Sequence, residues 1–252
     1  MTSDCHGAYR ALFQCLDRCG FEMEKDQLIF VGDVVDGWPD TKECIDLLLC
    51  IKNLVHLMGN HDQWALDFYT GKMLLRNNDR KQELDLWLSQ GGAATVKSYG
   101  TGKKMLQEHL EFLQQAKPYY VTEDNILFVH AGFNTAKPIE KNMQHDLIWD
   151  REFVYDQYKL NTQKQPVNVA AYQEVYIGHT PTIGFDALLT QPLHMGNIIL
   201  MDTGGAFTGY LSIMDVDSKE VWQSDRVMAL YPNEEGRNRL SWNEMKRNGV
   251  TF

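Results

Sequence analysis

The chain is poor in cysteine. Cys5, Cys15, Cys19, Cys44 and Cys50 are the only five, all in the first fifth of 252 residues, and no two form a CxxC pair. That odd number, without paired spacing, argues against a zinc knuckle or a disulfide framework and for free thiols in a reducing compartment, hence a cytoplasmic location. Cys15 and Cys19, one helical turn apart, read as helix-face packing. No apolar run is long enough to span a bilayer, and the first residues lack the pattern of a signal peptide. Positive charge is also scarce, with 24 Lys and Arg against 34 Asp and Glu and a formal charge of −10. This balance argues against sequence-independent binding to nucleic acid or to an anionic membrane, so neither is expected as a partner. An anionic substrate stays open, because bound divalent cations can dominate the field within a site. Internal repeats and low-complexity tracts are absent. What is present is ample apolar material, 44% of the residues, enough for one large domain or a core with a substantial insert. Nothing in the sequence bears on oligomeric state.

The chain is organised around Gln27 to Gly37, QLIFVGDVVDG. Leu28 to Val31 is a short continuous apolar run that reads as a strand buried on both faces. Gly32 ends it, and Asp33 and Asp36 follow, where open α/β sheets place ligand-binding groups. Before this strand, Ala8 to Cys19 has helical spacing with Gly20 as a stop. Only Met1 to Ser3 precede Asp4, so the strand delivering Asp4 is either a stub or continues in residues this sequence does not include. After it, Thr41 to Ile51 carries the stripe Ile45, Leu48 and Leu49 of a helix. Leu54 to Leu57 reads as a strand that hands over to Gly59-Asn60-His61-Asp62. The alternation predicts a largely parallel sheet between helices. From 63 to 117, apolar residues including Leu74, Leu75, Leu84 and Trp87 sit among charges, broken at Gly71 and Gly91-Gly92, and Leu106 to Leu113 is amphipathic. This region reads as a helical cap inserted in a single domain spanning 1–252. Strands resume at Ile126–Val129, Val175–Ile177 and Asn197–Met201. Tyr210–Met214 and Glu220–Trp222 read as an antiparallel pair joined at Asp215–Ser218. Asn233 to Phe252 reads as a loosely attached polar tail.

Asp4, His6, Asp33, Asn60, His130 and His179 each fall in a loop after a predicted strand. Such a mixed oxygen and nitrogen donor set suits Mn, Fe or Zn better than Ca or a thiolate site. Two ions ~3.5–4 Å apart need a shared ligand, and a carboxylate can supply an oxygen to each. Asp33, on the central strand of the pattern, is the natural bridge. Simpler readings exist for single residues. Asp36 can be a turn former beside Gly37. Asn60 and Asp62 can cap the helix that begins beside them, and for Asp62 capping is compatible with holding His61.

In order, the fragments DCHG, GDVVDG, GNHD, VHAG and GHT resemble the calcineurin-like metallophosphoesterases. They are most similar to the phosphoprotein phosphatase branch, with its bacterial serine/threonine protein phosphatases and symmetrical diadenosine tetraphosphate hydrolases. The resemblance implies a four-layer α/β sandwich of mixed sheets flanked by helices, with an inserted helical cap. It also implies two divalent or trivalent metal ions, of Mn, Fe or Zn. Asp4, His6 and Asp33 would hold one, and Asp33, Asn60, His130 and His179 the other. His61 would be the general acid, with Asp62 holding its imidazole, while metal-activated hydroxide attacks a phosphomonoester. In Trp149-Asp150-Arg151, the arginine resembles the family's phosphate clamp, whose guanidinium fork fits two phosphate oxygens. Asn60 would also contact substrate. Many relatives carry arginine directly after the second Asp of GDxxD; here that position is Gly37, followed by Trp38. Arg10, Arg76 and Arg80 are candidate substitutes, and Trp38 a candidate lining of the substrate groove. The expected substrate is a phosphorylated protein or a small phosphoester. The alternatives are a dinucleoside tetraphosphate, or a non-catalytic binding module retaining the fold.

Overall fold

Alternation with a period of two decides the layering. In β1 (Gln27–Phe30) and its continuation, Leu28 and Phe30 pack on one side, Ile29 and Val31 on the other, and all four are buried. In the computed structural model, which describes residues 1–73, 80–100 and 102–248, β2 (Asn53–His56) runs parallel to β1. Thr2 bridges in parallel to Phe30 and antiparallel to Ile213. The first residues are thus a stub between β1 and Ser212–Met214 (β8), which pairs antiparallel with Val221–Gln223 (β9).

A second sheet contains Tyr119–Val121 (β3), Ile126–Val129 (β4), Glu174–Ile177 (β5), Leu193–Met195 (β6) and Ile198–Leu200 (β7), in the order β3-β4-β5-β7-β6. β4, β5 and β7 are parallel; β3 and β6 are antiparallel edges. Phe128, Tyr176 and Ile199 point toward the first sheet and meet Ile29, Val31, Val55 and Leu57. Phe128 and Tyr176 stack there at 4.9 Å. Their neighbours Leu127, Val129, Val175 and Ile177 face away, onto α7 (Gln144–Trp149) and α8 (Glu152–Thr162) through Leu147 and Val154. The outer face of the first sheet packs on α1 (Tyr9–Arg18) and α2 (Thr41–Leu49). The architecture is therefore helices, sheet, sheet, helices. Burying such side chains contributes about 1.5–3 kcal/mol each.

Between β2 and β3 lie α3 (Asn60–Tyr69), α4 (Arg80–Trp87), a π turn (Leu88–Gly92), α5 (Ala93–Tyr99) and α6 (Gln107–Gln114). Gly91, with φ 112°, makes the kink between α4 and α5. Phe68 meets Trp87 at 4.6 Å. Leu74 and Leu75 lie outside the described residues. Three features depart from the sequence expectation. The largely parallel sheet that the alternation predicts is two mixed sheets, as the family resemblance implies, α7 and α8 fill a stretch without a clear stripe, and the described part of the tail, 233–248, is docked. Within that tail Ser241 and Glu244 form a reciprocal cap on α10 (Trp242–Arg247), and the backbone of Arg237 donates to Ala206 O at 3.0 Å.

Candidate functional site

Parallel strands share an edge, so their exits share it too. Asp4 follows the Thr2 stub, Asp33 follows β1, Asn60 follows β2, and His130 and His179 follow β4 and β5. All are buried. The Asp33 carboxylate is central: its Oδ2 lies 3.6 Å from His6 Nε2 and 3.4 Å from His130 Nε2. His130 Nε2 is also 3.2 Å from Asn60 Oδ1. Asp33 belongs to two convergent donor groups, one with His6 and His61, the other with His130 and His179. Asp4 joins through Oδ1, which accepts the His179 backbone N–H at 2.9 Å. A Cβ on Gly59 would stand 2.0 Å from Asp33 Oδ1, so only glycine admits that carboxylate. Among the described residues, five of the eight non-glycine positions with positive φ are Asp4, His6, Asp33, Asp36 and His179. Such backbone costs free energy and clusters where function over-determines geometry.

The donors fit cations. His6 Nδ1 faces Val35 O at 3.0 Å and His130 Nδ1 faces Val31 O at 2.7 Å. Each therefore donates its N–H to a carbonyl and turns Nε2 inward, as metal-binding imidazoles do. His179 does the reverse, with Nε2 3.3 Å from Trp149 O and its buried Nδ1 without a partner. Asp4 Oδ2 is likewise buried and unpartnered. Two unmatched groups of this kind are costly unless a cation takes them.

Electrostatics point the same way. Burial and the nearby Asp202 push the Asp4 carboxyl well above the usual range. Burial works against ionisation of Asp33, but His130 and His61 overcome it and hold that carboxyl well below its ordinary value. Burial also opposes charging of His130, yet Asp33 and Asp4 raise it to about 9. Burial lowers His6 to about 3. Burial, with His130 and Arg151 nearby, lowers His179.

The sequence predicts Asp62 as the holder of His61. The structure pairs His61 with Asp36 instead, Nδ1 to Oδ2 at 2.8 Å. Asp36 is fixed by Trp87 Nε1 at 2.7 Å and Thr95 Oγ1 at 2.7 Å. Asp62, at the third position of α3, is turned away from the imidazole. Its oxygens accept backbone N–H groups from Asp33, Gly59 and Val34 at 2.7, 3.1 and 2.9 Å, with Val35 at 3.4 Å. It is a cap and loop anchor. Trp38 is a second correction. It lines no groove but is fully buried, donates Nε1 to Gly205 O at 2.8 Å and stacks on Tyr231. Arg10 lies at the surface, where Nη1 donates to Leu230 O and the guanidinium covers Tyr231. Arg76 and the side chain of Arg80 lie outside the described residues.

Arg151 Nη1 donates to His179 O at 2.6 Å and Thr180 Oγ1 at 3.2 Å. With His179, Phe207 and Arg237 it lines a cavity of about 200 Å³. A larger cavity, about 420 Å³, opens near Met1, Gln27 and Asp215, at the entry ends of the strands, and contains none of the clustered donors. Two residues escape the sequence reading. Asp202, at the exit of β7, is buried and its carboxyl is raised to about 6 by that burial; the rule that strand exits carry ligands could have found it. Arg237 has no local signal at all.

A serine/threonine-protein phosphatase 1 from Salmonella typhimurium is 25% identical over 221 residues, spanning 84% of this chain and 89% of the relative. A symmetrical bis(5'-nucleosyl)-tetraphosphatase from Erwinia tasmaniensis is 36% identical over 85 residues, 33% of this chain and 31% of the relative. The crystal structure of a metallophosphoesterase from Sphaerobacter thermophilus superposes with a TM-score of 0.54 at 18% identity, covering 99% of this chain and 93% of the other. Residues 1–208 match the calcineurin-like phosphoesterase family, and with its strand-exit donors gathered around Asp33 the chain belongs to that family.

Proposed function

We propose that this metal-dependent phosphoesterase is a phosphomonoesterase that acts on phosphoserine or phosphothreonine in proteins. The observation that carries the reading is the Asp33 carboxylate, set between His6 and His130 and shared by two donor groups. Asp4, His6 and Asp33 would hold one ion, and Asp33, Asn60, His130 and His179 the other. Mn, Fe and Zn suit these nitrogen and oxygen donors. Bound there, the ions supply a deprotonated water near neutral pH and neutralise phosphoryl charge.

The chain's own residues do the rest. Arg151 presents a guanidinium beside His179, suited to two phosphoryl oxygens. Asn60, whose Oδ1 lies beside His130 Nε2, would also contact the phosphoryl group. His61 holds its Nδ1 proton against Asp36, leaving Nε2 for the departing oxygen. Burial lowers His61 to about 3 and raises Asp36, so neither group takes its charge readily in this site. A phosphate dianion beside Nε2 favours a second proton on the imidazole, and its transfer to a poor alkoxide leaving group is worth about 10²–10⁴-fold. Residues 63–117 serve as the cap, since Trp87 and Thr95 both reach Asp36. Five free cysteines suit a reducing compartment, and the formal charge of −10 disfavours nucleic acid and membranes as partners. Among the described residues no helix is long and apolar enough to cross a membrane.

Similarity to the Salmonella phosphatase spans most of both chains, whereas similarity to the tetraphosphatase spans a third. The protein-phosphatase reading is therefore placed first. Mn-loaded protein incubated with a phosphopeptide should release inorganic phosphate, and with diadenosine tetraphosphate should release little. ADP from the dinucleotide with the peptide untouched would reverse the order. A protein that retains no metal and hydrolyses neither substrate would favour a binding module.

A further inference from the structure

Among the described residues, Arg237 is the one cation that the C-terminal segment brings to this cavity. Its stem passes over Gly37: a Cβ added there would stand 3.2 Å from Arg237 Cγ. Gly37 has φ 130°, which side-chain-bearing residues rarely adopt. Gln90, in the π turn, accepts from Nη2 at 2.9 Å, and the guanidinium lies over the Phe207 ring, 5.1 Å from its centroid. The position is therefore built from three separate segments. Nevertheless the group is incompletely matched. Its Nε is buried without a hydrogen-bond partner. Among the described residues no carboxylate lies within ion-pair distance. Asp33, Asp36 and Asp202 attract it from further away while Arg151 repels it. Arg237 as a whole is half-buried, but an unmatched donor such as its buried Nε costs free energy. Two guanidinium groups facing one cavity beside His179 call for an anion between them, with more than one oxygen to offer. A phosphoryl group has that form.

We propose that Arg237 is a second arginine of the substrate phosphate site, supplied from the C-terminal segment across Gly37. Gly37 leaves the space that the Arg237 stem fills. Residues 231–241 then become part of the active site, and phosphate affinity depends on their docking. This inference rests on the phosphoesterase reading.

The test uses the full chain loaded with Mn, and inorganic phosphate as the probe. Arg237→Ala should raise the Ki for phosphate and the KM for an aryl phosphate by about 10- to 100-fold, the loss of one or two charge-assisted hydrogen bonds. Mn content should match the wild type, and millimolar guanidinium should restore part of the affinity. Arg237→Lys keeps the charge without the fork and should fall between; it carries the test if the alanine variant is poorly folded. Phosphate affinity within twofold of wild type in both variants would overturn the proposal. So would a loss that tracks Mn content and resists guanidinium, because Arg237 would then be only a counter-charge for the carboxylates. If the wild type itself neither binds phosphate nor hydrolyses an ester, the phosphoesterase reading falls and takes this inference with it. Normal wild-type turnover with an unaffected variant removes only the inference.

Discussion

Replacing Asp62 by asparagine separates an anchor from a catalytic partner. Asp62 Oδ2 accepts from the Asp33 and Gly59 N–H groups, and Oδ1 from those of Val34 and, more weakly, Val35. An asparagine amide has one oxygen. However it is turned, its NH₂ faces two backbone donors. The less harmful orientation keeps Asp33 and Gly59 and strands Val34 and Val35. Hydrogen bonds to a buried charged acceptor contribute about 1.5–3 kcal/mol each, so the loss is roughly 3–5 kcal/mol. For a chain of this size that lowers Tm by on the order of 10 °C. Since Asp62 shapes the loop carrying Asp33, Mn content should fall as well.

Asp36→Asn provides the contrast. Its oxygen can face His61 and Trp87, and its NH₂ can face the Thr95 hydroxyl, which can accept. Stability should drop by only about 1 kcal/mol, with Mn retained and the rate lowered most for alkyl phosphates. Thermal unfolding, metal analysis and turnover of aryl and alkyl phosphates measure all of this. If Asp62→Asn kept its Tm and its Mn but lost rate as Asp36→Asn does, the assignment of Asp36 to His61 would be refuted.

Asp33→Asn should lose Mn and activity together, since one carboxylate serves both donor groups; full Mn occupancy would contradict the shared position. His61→Asn should retain Mn and lose rate, least for aryl phosphates, whose leaving groups need no proton; equal loss for both classes would exclude the acid role. Stripped of metal, the protein should lose stability between pH 6.5 and 9. Burial resists charging of His130, but Asp33 and Asp4 raise it to about 9, so the folded chain keeps a proton that the unfolded chain has released. That contribution is full below pH 6.5 and gone above 9, about 3 kcal/mol in all. A flat Tm over this window would refute it. Trp38→Ala should cost about 3–5 kcal/mol and, because the indole holds Tyr231 and Gly236 beside Arg237, should raise the phosphate Ki as well; an unchanged Ki would show that the docking of 231–241 does not govern phosphate binding.

Local periodicity and motif order were sufficient for the strands carrying Asp33, Asn60, His130 and His179, and for the donors themselves. A strand exit and its side chain are neighbours in the chain, and a continuous apolar run announces burial wherever it sits. Parallel neighbours then bring those exits to one edge, which alternation along the chain already implies. The sequence alone thus determined which side chains converge and the edge they share. Tertiary structure decided the rest. On paper Asp62 reads as the partner of His61 and Asp36 as a turn former; only the turn after β1 aims Asp36 at the imidazole while the backbone surrounds Asp62. Trp38 follows a ligand loop in sequence, yet Tyr231, almost two hundred residues later, covers it. Arg237 sits in a polar stretch without periodicity, and its meaning comes from Gly37 and Gln90. Contacts of that span depend on how whole layers pack, and no local pattern encodes them.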